Sequence, residues 1–475
     1  MTQLAARAVR PGEAARPSPR PRRWWPVGLL LGLLAFSHAA LYAALVPPWQ
    51  APDEPAQVEY VLLVAQRGRP TEDLDPGIQR RIVEDLVARD FFRFAGGQRP
   101  PADDLSFEAV WPGQARYAGR QPAYFLAAAL IVRLFPEAPI AFQVSLLRAF
   151  SAFLFGLTVA AIFATARLIF PERPLLAVGA ALAAALLPMA AALGGAVNND
   201  NLANLVGAAT FLGIALVERR GYRPEWVLAL IGLAVVALYT KRTTLILIPL
   251  VGLVLALAIW RQGWRARVAA ATIAFFALVA AVAAIETFPP LRNAVAYTAD
   301  RYFANASVES NLAAIEGISP AWQNLLRSFV LYSGLFFQSS IGLFGWVDVA
   351  LLPVWYLLAG FALLSALLGA VLFAIRTFPT MDAPGRAALR WLLVGLLFSV
   401  GLVFIYALYF SQDGTAPQGR YLFVSLSPLL IVLTAGLAEL FPRRARRLAA
   451  IGGAWLLLLF DAVVIVGTLL PEYYG

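Results

Sequence analysis

Asp53 and Glu54 stand side by side in VPPWQAPDEPAQVEY, residues 46–60, between Pro52 and Pro55. This stretch follows the first long apolar run and opens the largest polar segment of the chain. A carboxylate held there could take a proton from an attacking hydroxyl. Further acids and bases sit at the ends of other apolar runs: Asp200 in GGAVNNDN, the pair Lys241–Arg242, and Arg420 followed by Tyr421. Carboxylates and cations gathered at one boundary suit the attack of a hydroxyl on a sugar carried by a lipid phosphate. The carboxylate is the general base, and the fixed cations stabilise the departing phosphate. A lipid carrier would place such a site at a membrane surface.

Each residue also has a structural role open to it. Asp53 and Glu54 before Pro55 could cap a helix, and Asp200 could cap or turn the run that follows. Lys241 and Arg242 could snorkel, and Arg420 with Tyr421 could be interfacial anchors. Arg120, with Tyr117, and Gln121 precede a short apolar segment and could line a substrate groove. Glu59 reads as a solvated or salt-bridged position. His38, inside the first apolar run, reads as a hydrogen bond to another helix. Asp461, inside the last run, has no assigned role.

The elements that must position these residues are membrane helices. Hydrophobic residues make up 60% of 475 and charged residues 14%, against about 45–50% and about 25% in soluble domains; mean hydropathy is +0.71. The net charge of +10 is spread over short connections between apolar runs, which is topogenic and not a nucleic-acid stripe. With no cysteine and one histidine, disulfides and cysteine nucleophiles are excluded, and histidine metal sites and Ser-His-Asp triads are disfavoured.

Residues 1–24, rich in Arg, Pro and Ala, read as a disordered cytoplasmic tail, and 25–475 as one membrane domain. Apolar runs of spanning length predict about eleven transmembrane helices, at 25–46, 142–169, 174–193, 202–217, 226–240, 243–260, 268–286, 351–376, 388–410, 421–440 and 448–469. Residues 121–135 are too short to cross and read as a helix buried or laid on the outer leaflet. In QRRIVEDLVARDFFRF, Ile82, Val83, Leu86, Val87, Phe91 and Phe94 share a face, which fits a helix on the membrane surface or one packed on its own domain. In this register more than half of the 38 basic residues lie in cytoplasmic connections or the tail, as the positive-inside rule expects. The outer face then holds 47–141, 194–201, Lys241–Arg242, 287–350 and 411–420. Within 287–350, residues 328–347 read as re-entrant or interfacial, not spanning.

The carboxylates of PDEPAQVEY, the QPAYF element, the NND and the TKRT resemble the GT-C superfamily of integral-membrane glycosyltransferases. GLFGWVDVALLP (342–353) and QGRYLFVSLSP (418–428) are more similar to one branch of it, bacterial predicted membrane proteins of unknown function. The resemblance implies an all-α GT-C-like bundle in the cytoplasmic (inner) membrane of a bacterium. It implies transfer from a polyprenyl-phosphate-linked sugar donor to an acceptor glycan, lipid or protein on the extracytoplasmic face, with inversion. It makes Asp53 the catalytic carboxylate with Glu54 beside it, Asp200 the second acid, and Lys241 and Arg420 phosphate contacts. Gln57 stands where branch members often have histidine. Some GT-C enzymes use a metal, so Asp53 and Asp200 could hold Mg2+ or Mn2+, though nothing in the sequence demands it. The rivals are a transporter or lipid flippase, which would show repeats, broken helices and mid-membrane ionisable groups, and an O-antigen ligase or polymerase-type enzyme, with its long functional loop late in the chain.

Overall fold

The computed structural model describes residues 24–94, 121–261, 263, 333–410 and 418–475. These residues are almost entirely helical. The long apolar helices are α1 (Trp25–Leu45), α5 (Ile140–Ile169), α8 (Asp200–Arg220), α10 (Leu247–Arg261), α11 (Pro353–Arg376), α12 (Ala383–Phe410), α13 (Leu426–Glu439) and α14 (Arg446–Val464). Three-residue-per-turn segments lead into α10 (Arg242–Ile246) and α13 (Gly419–Ser425), and α14 continues through Ile465–Leu469 into α15 (Leu470–Tyr474). Among the described residues, eight helical stretches are long and apolar enough to cross a bilayer, or nine if one bent pair is a single span. The chain is therefore an all-α polytopic membrane protein.

Three of the expected spans need comment. Residues 174–193 form two helices, α6 (Pro174–Ala185) and α7 (Pro188–Gly194), bent by 63° at the break. Pro188 is the cause, since the residue before a proline is driven out of helical conformation and Leu187 sits at φ −71°, ψ 113°. Residues 226–240 become α9 (Pro224–Thr240) of 17 residues, about 26 Å long and slightly short of a ~30 Å hydrocarbon core. The span expected at 268–286 lies outside the described residues.

Small residues let the helices approach closely, the usual means of packing where lipid removes the hydrophobic drive. A Cβ on Gly32 of α1 would stand 2.9 Å from the Gly156 carbonyl oxygen of α5, and one on Gly156 would meet Gly32 O at 2.7 Å. Gly436 of α13 likewise presses on Ala366 O of α11. The bundle has two distinct rims. One carries the arginine-rich connections: Arg219 pairs with Asp382, Arg261 with Glu218 at 3.2 Å, and Arg446 with Glu439 at 3.1 Å. The described residues expected to share the cytoplasmic side therefore share one end of the bundle.

The opposite rim carries a cap of short helices. These are α2 (Glu54–Arg67), α3 (Pro76–Ala88) and α4 (Ala123–Val132). They bury their apolar faces in a second core with the first turns of α5, including Val58, Ile82, Val83, Leu86, Phe125 and Leu147. Of the two placements open to residues 79–94, α3 takes the one on its own domain: Ile82, Val83 and Leu86 are fully buried. Burying them against protein stabilises by about 1.5–3 kcal/mol each, which a lipid surface would have to match. The cap explains the length of α5, whose 30 residues make about 45 Å of helix, more than a bilayer core needs. Helix α4, at 10 residues, does not span, in keeping with the sequence reading.

Residues 333–341 are helical and end in a hairpin of β1 (Leu343–Phe344) and β2 (Val349–Ala350). Phe344 pairs with Val349, and the four-residue turn between them holds Gly345 and Val347 at positive φ. Trp346 at its tip donates from Nε1 to the Trp49 carbonyl at 3.2 Å and packs edge-on to Phe91. Within the described part of 328–347, Trp346 therefore joins the cap, while Ile341 and Phe344 pack on the core of the bundle.

Candidate functional site

Asp53 precedes α2 in the left-handed conformation, φ 64°, ψ 0°, and makes no side-chain bond to the helix start. The capping role open to it is not used. Aspartate is among the residues that tolerate this region, but the strain persists only where surroundings fix it. The carboxylate instead accepts from Arg420 Nη2 at 2.9 Å. Arg420 is 5% exposed and leads the 419–425 turn, which is fixed in two ways. Gly419 N–H donates to Ser339 Oγ at 2.8 Å, and Gly207 of α8 lets the Val424 carbonyl lie where a Cβ would be only 2.0 Å away.

Asp200 opens α8, and its own N–H is met by a neighbour: Asn198 Oδ1 accepts it at 2.8 Å. An acid in the first turn is favoured by the helix dipole. The Asp200 carboxylate is paired with Lys241, and Arg420 Nε lies 3.8 Å from its second oxygen. Lys241 breaks the chain between α9 and the 242–246 turn, where Thr244 Oγ1 closes the helix by donating to Ala237 O and Lys241 O. Lys241 is therefore an ion-pair partner and not a snorkelling anchor. Tyr421 sits between the cations, its ring centre 5.6 Å from Lys241 Nζ and 5.9 Å from the Arg420 guanidinium, within cation–π reach.

Asp53, Asp200, Lys241, Arg420 and Tyr421 thus meet at the capped rim, brought from four places in the chain. Arg242 is exposed at the first position of its turn, and Gln121 is half-buried just before α4. Arg120 and Tyr117 lie outside the described residues.

Glu54 belongs to a different network. It is fully buried and pairs with Arg148 of α5 at 2.6 and 2.8 Å. It also accepts the N–H groups of Trp49 at 2.8 Å and Val197 at 3.1 Å. Arg148 donates onward to the carbonyls of Ala43, Val46 and Pro47. The pair holds together the end of α1, the 46–54 loop and the approach to Asp200. Glu54, expected beside Asp53 as a catalytic group, has its oxygens committed to this clamp. Arg148 was missed; an arginine within an apolar run was the signal. The solvated placement of Glu59 is corrected: it is 1% exposed and accepts from Gln79 Nε2 at 2.7 Å.

A third polar cluster lies within the spans. His38 Nδ1 is 2.7 Å from the Ala185 carbonyl and Nε2 is 2.8 Å from Asp461 Oδ2, while Tyr42 OH donates to Asp461 Oδ1 at 2.7 Å. A carbonyl only accepts, so Nδ1 carries a proton, and the contact of Nε2 with a carboxylate needs one more between them. The pair therefore holds a proton, and it joins α1 and α14 to the carbonyl at the break between α6 and α7.

Among the described residues, the donor set at the rim does not fit a resident divalent cation. Arg420 and Lys241 already neutralise Asp53 and Asp200, and no group of three Asp, Glu, His or Cys that could hold a metal occurs among the described residues. An ion between the two carboxylates would lie against two fixed positive charges.

A helical bundle with a charged, capped rim defines an integral-membrane protein with a candidate site at one surface. The chain matches the family described as predicted membrane protein (DUF2142) over residues 105–432, about two thirds of its length, and belongs to that family. Asp200, Lys241 and Arg420 fall within the match, and Asp53 precedes it. No curated protein matches the chain.

Proposed function

We propose that the protein is a GT-C-type glycosyltransferase that moves a sugar from a polyprenyl phosphate to an acceptor hydroxyl. The observation that carries this reading is Asp53, held at positive φ, unused as a cap and set beside Arg420 at 2.9 Å. The acceptor oxygen attacks the anomeric carbon as the bond from that carbon to the phosphate oxygen breaks. The proton passes to Asp53, and polyprenyl phosphate leaves with the bonding electrons. One displacement inverts the anomeric centre. Lys241 and Arg420 stabilise the phosphate, Asp200 holds both cations in place, and Glu54 with Arg148 positions the loop that carries Asp53. By the positive-inside rule the arginine-rich rim is cytoplasmic and the site faces outward from a bacterial inner membrane.

Purified protein incubated with synthetic polyprenyl-phosphate sugars is expected to transfer or hydrolyse them. Asp53→Asn should lower the rate at least ~10²-fold, in the range of lost general-base catalysis. Full activity in Asp53→Asn would remove the assigned base.

One observation favours a second reading, proton-linked movement of the lipid-linked glycan. A broken span and a proton-holding pair inside a bundle are features of transporters, and here Ala185 O at the break is bonded to His38. Transbilayer movement of a labelled polyprenyl-phosphate sugar in proteoliposomes, driven by a pH gradient and without bond cleavage, would favour it.

A further inference from the structure

Three of the four rim charges have neutral polar side chains close by in sequence whose hydrogen-bonding atoms are buried and unmet among the described residues. They are Gln57 Nε2 on α2 after Asp53, Asn198 Nδ2 and Asn199 Oδ1 before Asp200, Asn204 Oδ1 one turn after it, and Thr243 Oγ1 after Lys241. These five residues are between 0% and 6% exposed. Buried polar groups without partners are rare in folded proteins, and each costs stability unless something else completes it. Their occurrence around one charged cluster needs a reason that packing does not supply.

The amide orientations are partly fixed. Gln57 Oε1 accepts the Asn199 N–H at 2.8 Å, and Asn198 Oδ1 accepts the Asp200 N–H. Their NH2 groups are thus the unmet ends. The remaining unmet atoms are two carbonyl oxygens and a hydroxyl. Asp200, Asn204 and Gly207 share a face of α8, and at Gly207 that face meets the turn carrying Arg420. A phosphate could use the donors alone and would leave both acceptors unmet. A sugar ring bears hydroxyls that each donate and accept, so it answers both kinds of group.

We propose that Gln57, Asn198, Asn199, Asn204 and Thr243 form a subsite that reads the hydroxyls of a sugar beside the phosphate-binding cations. The inference rests on the glycosyltransferase reading and extends it from the lipid phosphate to the group transferred. Asn204→Leu and Thr243→Val remove unmet atoms and break no hydrogen bond of those atoms.

The test measures thermal unfolding of the detergent-purified chain alone, with bare polyprenyl phosphate, and with the same lipid carrying a hexose. The wild type should be stabilised by the bare lipid and further by the sugar. Both variants should unfold no earlier than wild type without ligand and keep the response to bare lipid. Each should lose about tenfold in affinity for the sugar-bearing lipid, the effect of one hydrogen bond of ordinary strength. Equal binding of the two lipids by wild type, or an intact sugar increment in both variants, overturns the subsite while the phosphate reading stands. Ligand-free variants that unfold earlier with the increment intact would mean that the amides hold only structural water. No response to either lipid takes the donor reading down, and the subsite with it.

Discussion

Position 53 combines an unusual backbone with a carboxylate paired to Arg420, and the two features can be separated by substitution. Asparagine tolerates positive φ almost as well as aspartate, whereas a β-branched residue is strained there. Asp53→Val should therefore unfold at a lower temperature than Asp53→Asn, by the equivalent of about 1–3 kcal/mol; equal stabilities would mean that the loop relaxes freely. The Glu54–Arg148 pair behaves differently. Arg148→Met leaves Glu54 as a buried charge without its counter-ion, a change that costs about 3–5 kcal/mol, and chemical unfolding in detergent should register that loss. The acids and cations of the rim were legible in the sequence because charge is costly in lipid and stands out at the ends of apolar runs. What separated Asp53 from Glu54 was not legible, because two adjacent carboxylates look alike until Arg148, 94 residues from Glu54, is seen to take one of them. For the same reason His38 and Asp461 were each visible, but their pairing across 423 residues was not.

At the scale of helices, two glycines in the bundle make opposite predictions. A methyl group on Gly207 would lie 2.0 Å from the Val424 carbonyl, so Gly207→Ala must push the Arg420 turn away from α8. It should cost about 1–3 kcal/mol, as overpacking does, and reduce any activity of the rim. Among the described residues, nothing lies within 4 Å of such a methyl group on Gly232 in α9, and Gly232→Ala should leave the unfolding temperature unchanged or higher. Helix α3 offers a pH test. Asp75 accepts the N–H groups of Gly77 and Ile78 at 2.8 and 3.2 Å. Partial burial pushes its carboxyl up, but hydrogen bonds from Gln66, Ile78 and Gly77, with Arg67 nearby, outweigh that and hold it below the usual aspartate value. The cap's contribution is thus present above the ordinary aspartate pKa near ~4 and fades as pH falls through the lowered value. Asp75→Ala should lose about 1 kcal/mol at neutral pH and less in acid. Existence and order of the long apolar helices among the described residues were readable from hydrophobic length. The bend at Leu187 had its signal in Pro188, but in sequence alone 174–193 passes as one run, because a proline can also be tolerated within a membrane helix.

For the molecule as a whole, the division into two rims is the property most open to direct test. The chain has no cysteine, so single cysteines at exposed Arg223 and Glu72 give an uncluttered comparison. They should react with an impermeant thiol reagent from opposite sides of the membrane, Glu72→Cys in intact cells and Arg223→Cys only after permeabilisation. Labelling of both from one side would break the alternation of spans. That alternation was legible from arginine placement, since short basic connections are retained on one side. The cap was less so, because apolar stripes such as that of α3 fit a lipid surface and a protein core equally well until their partners in α2, α4 and α5 are in place.

The ammonium group paired with Asp200 has an analytical consequence. Lys241 is the sole lysine of the sequence, so reductive methylation with 13C-formaldehyde would install one side-chain NMR reporter, apart from the amino terminus, at the heart of the charged rim. Its resonance should move when Asp200 is replaced by asparagine, and the same signal would report directly on any anion that settles there.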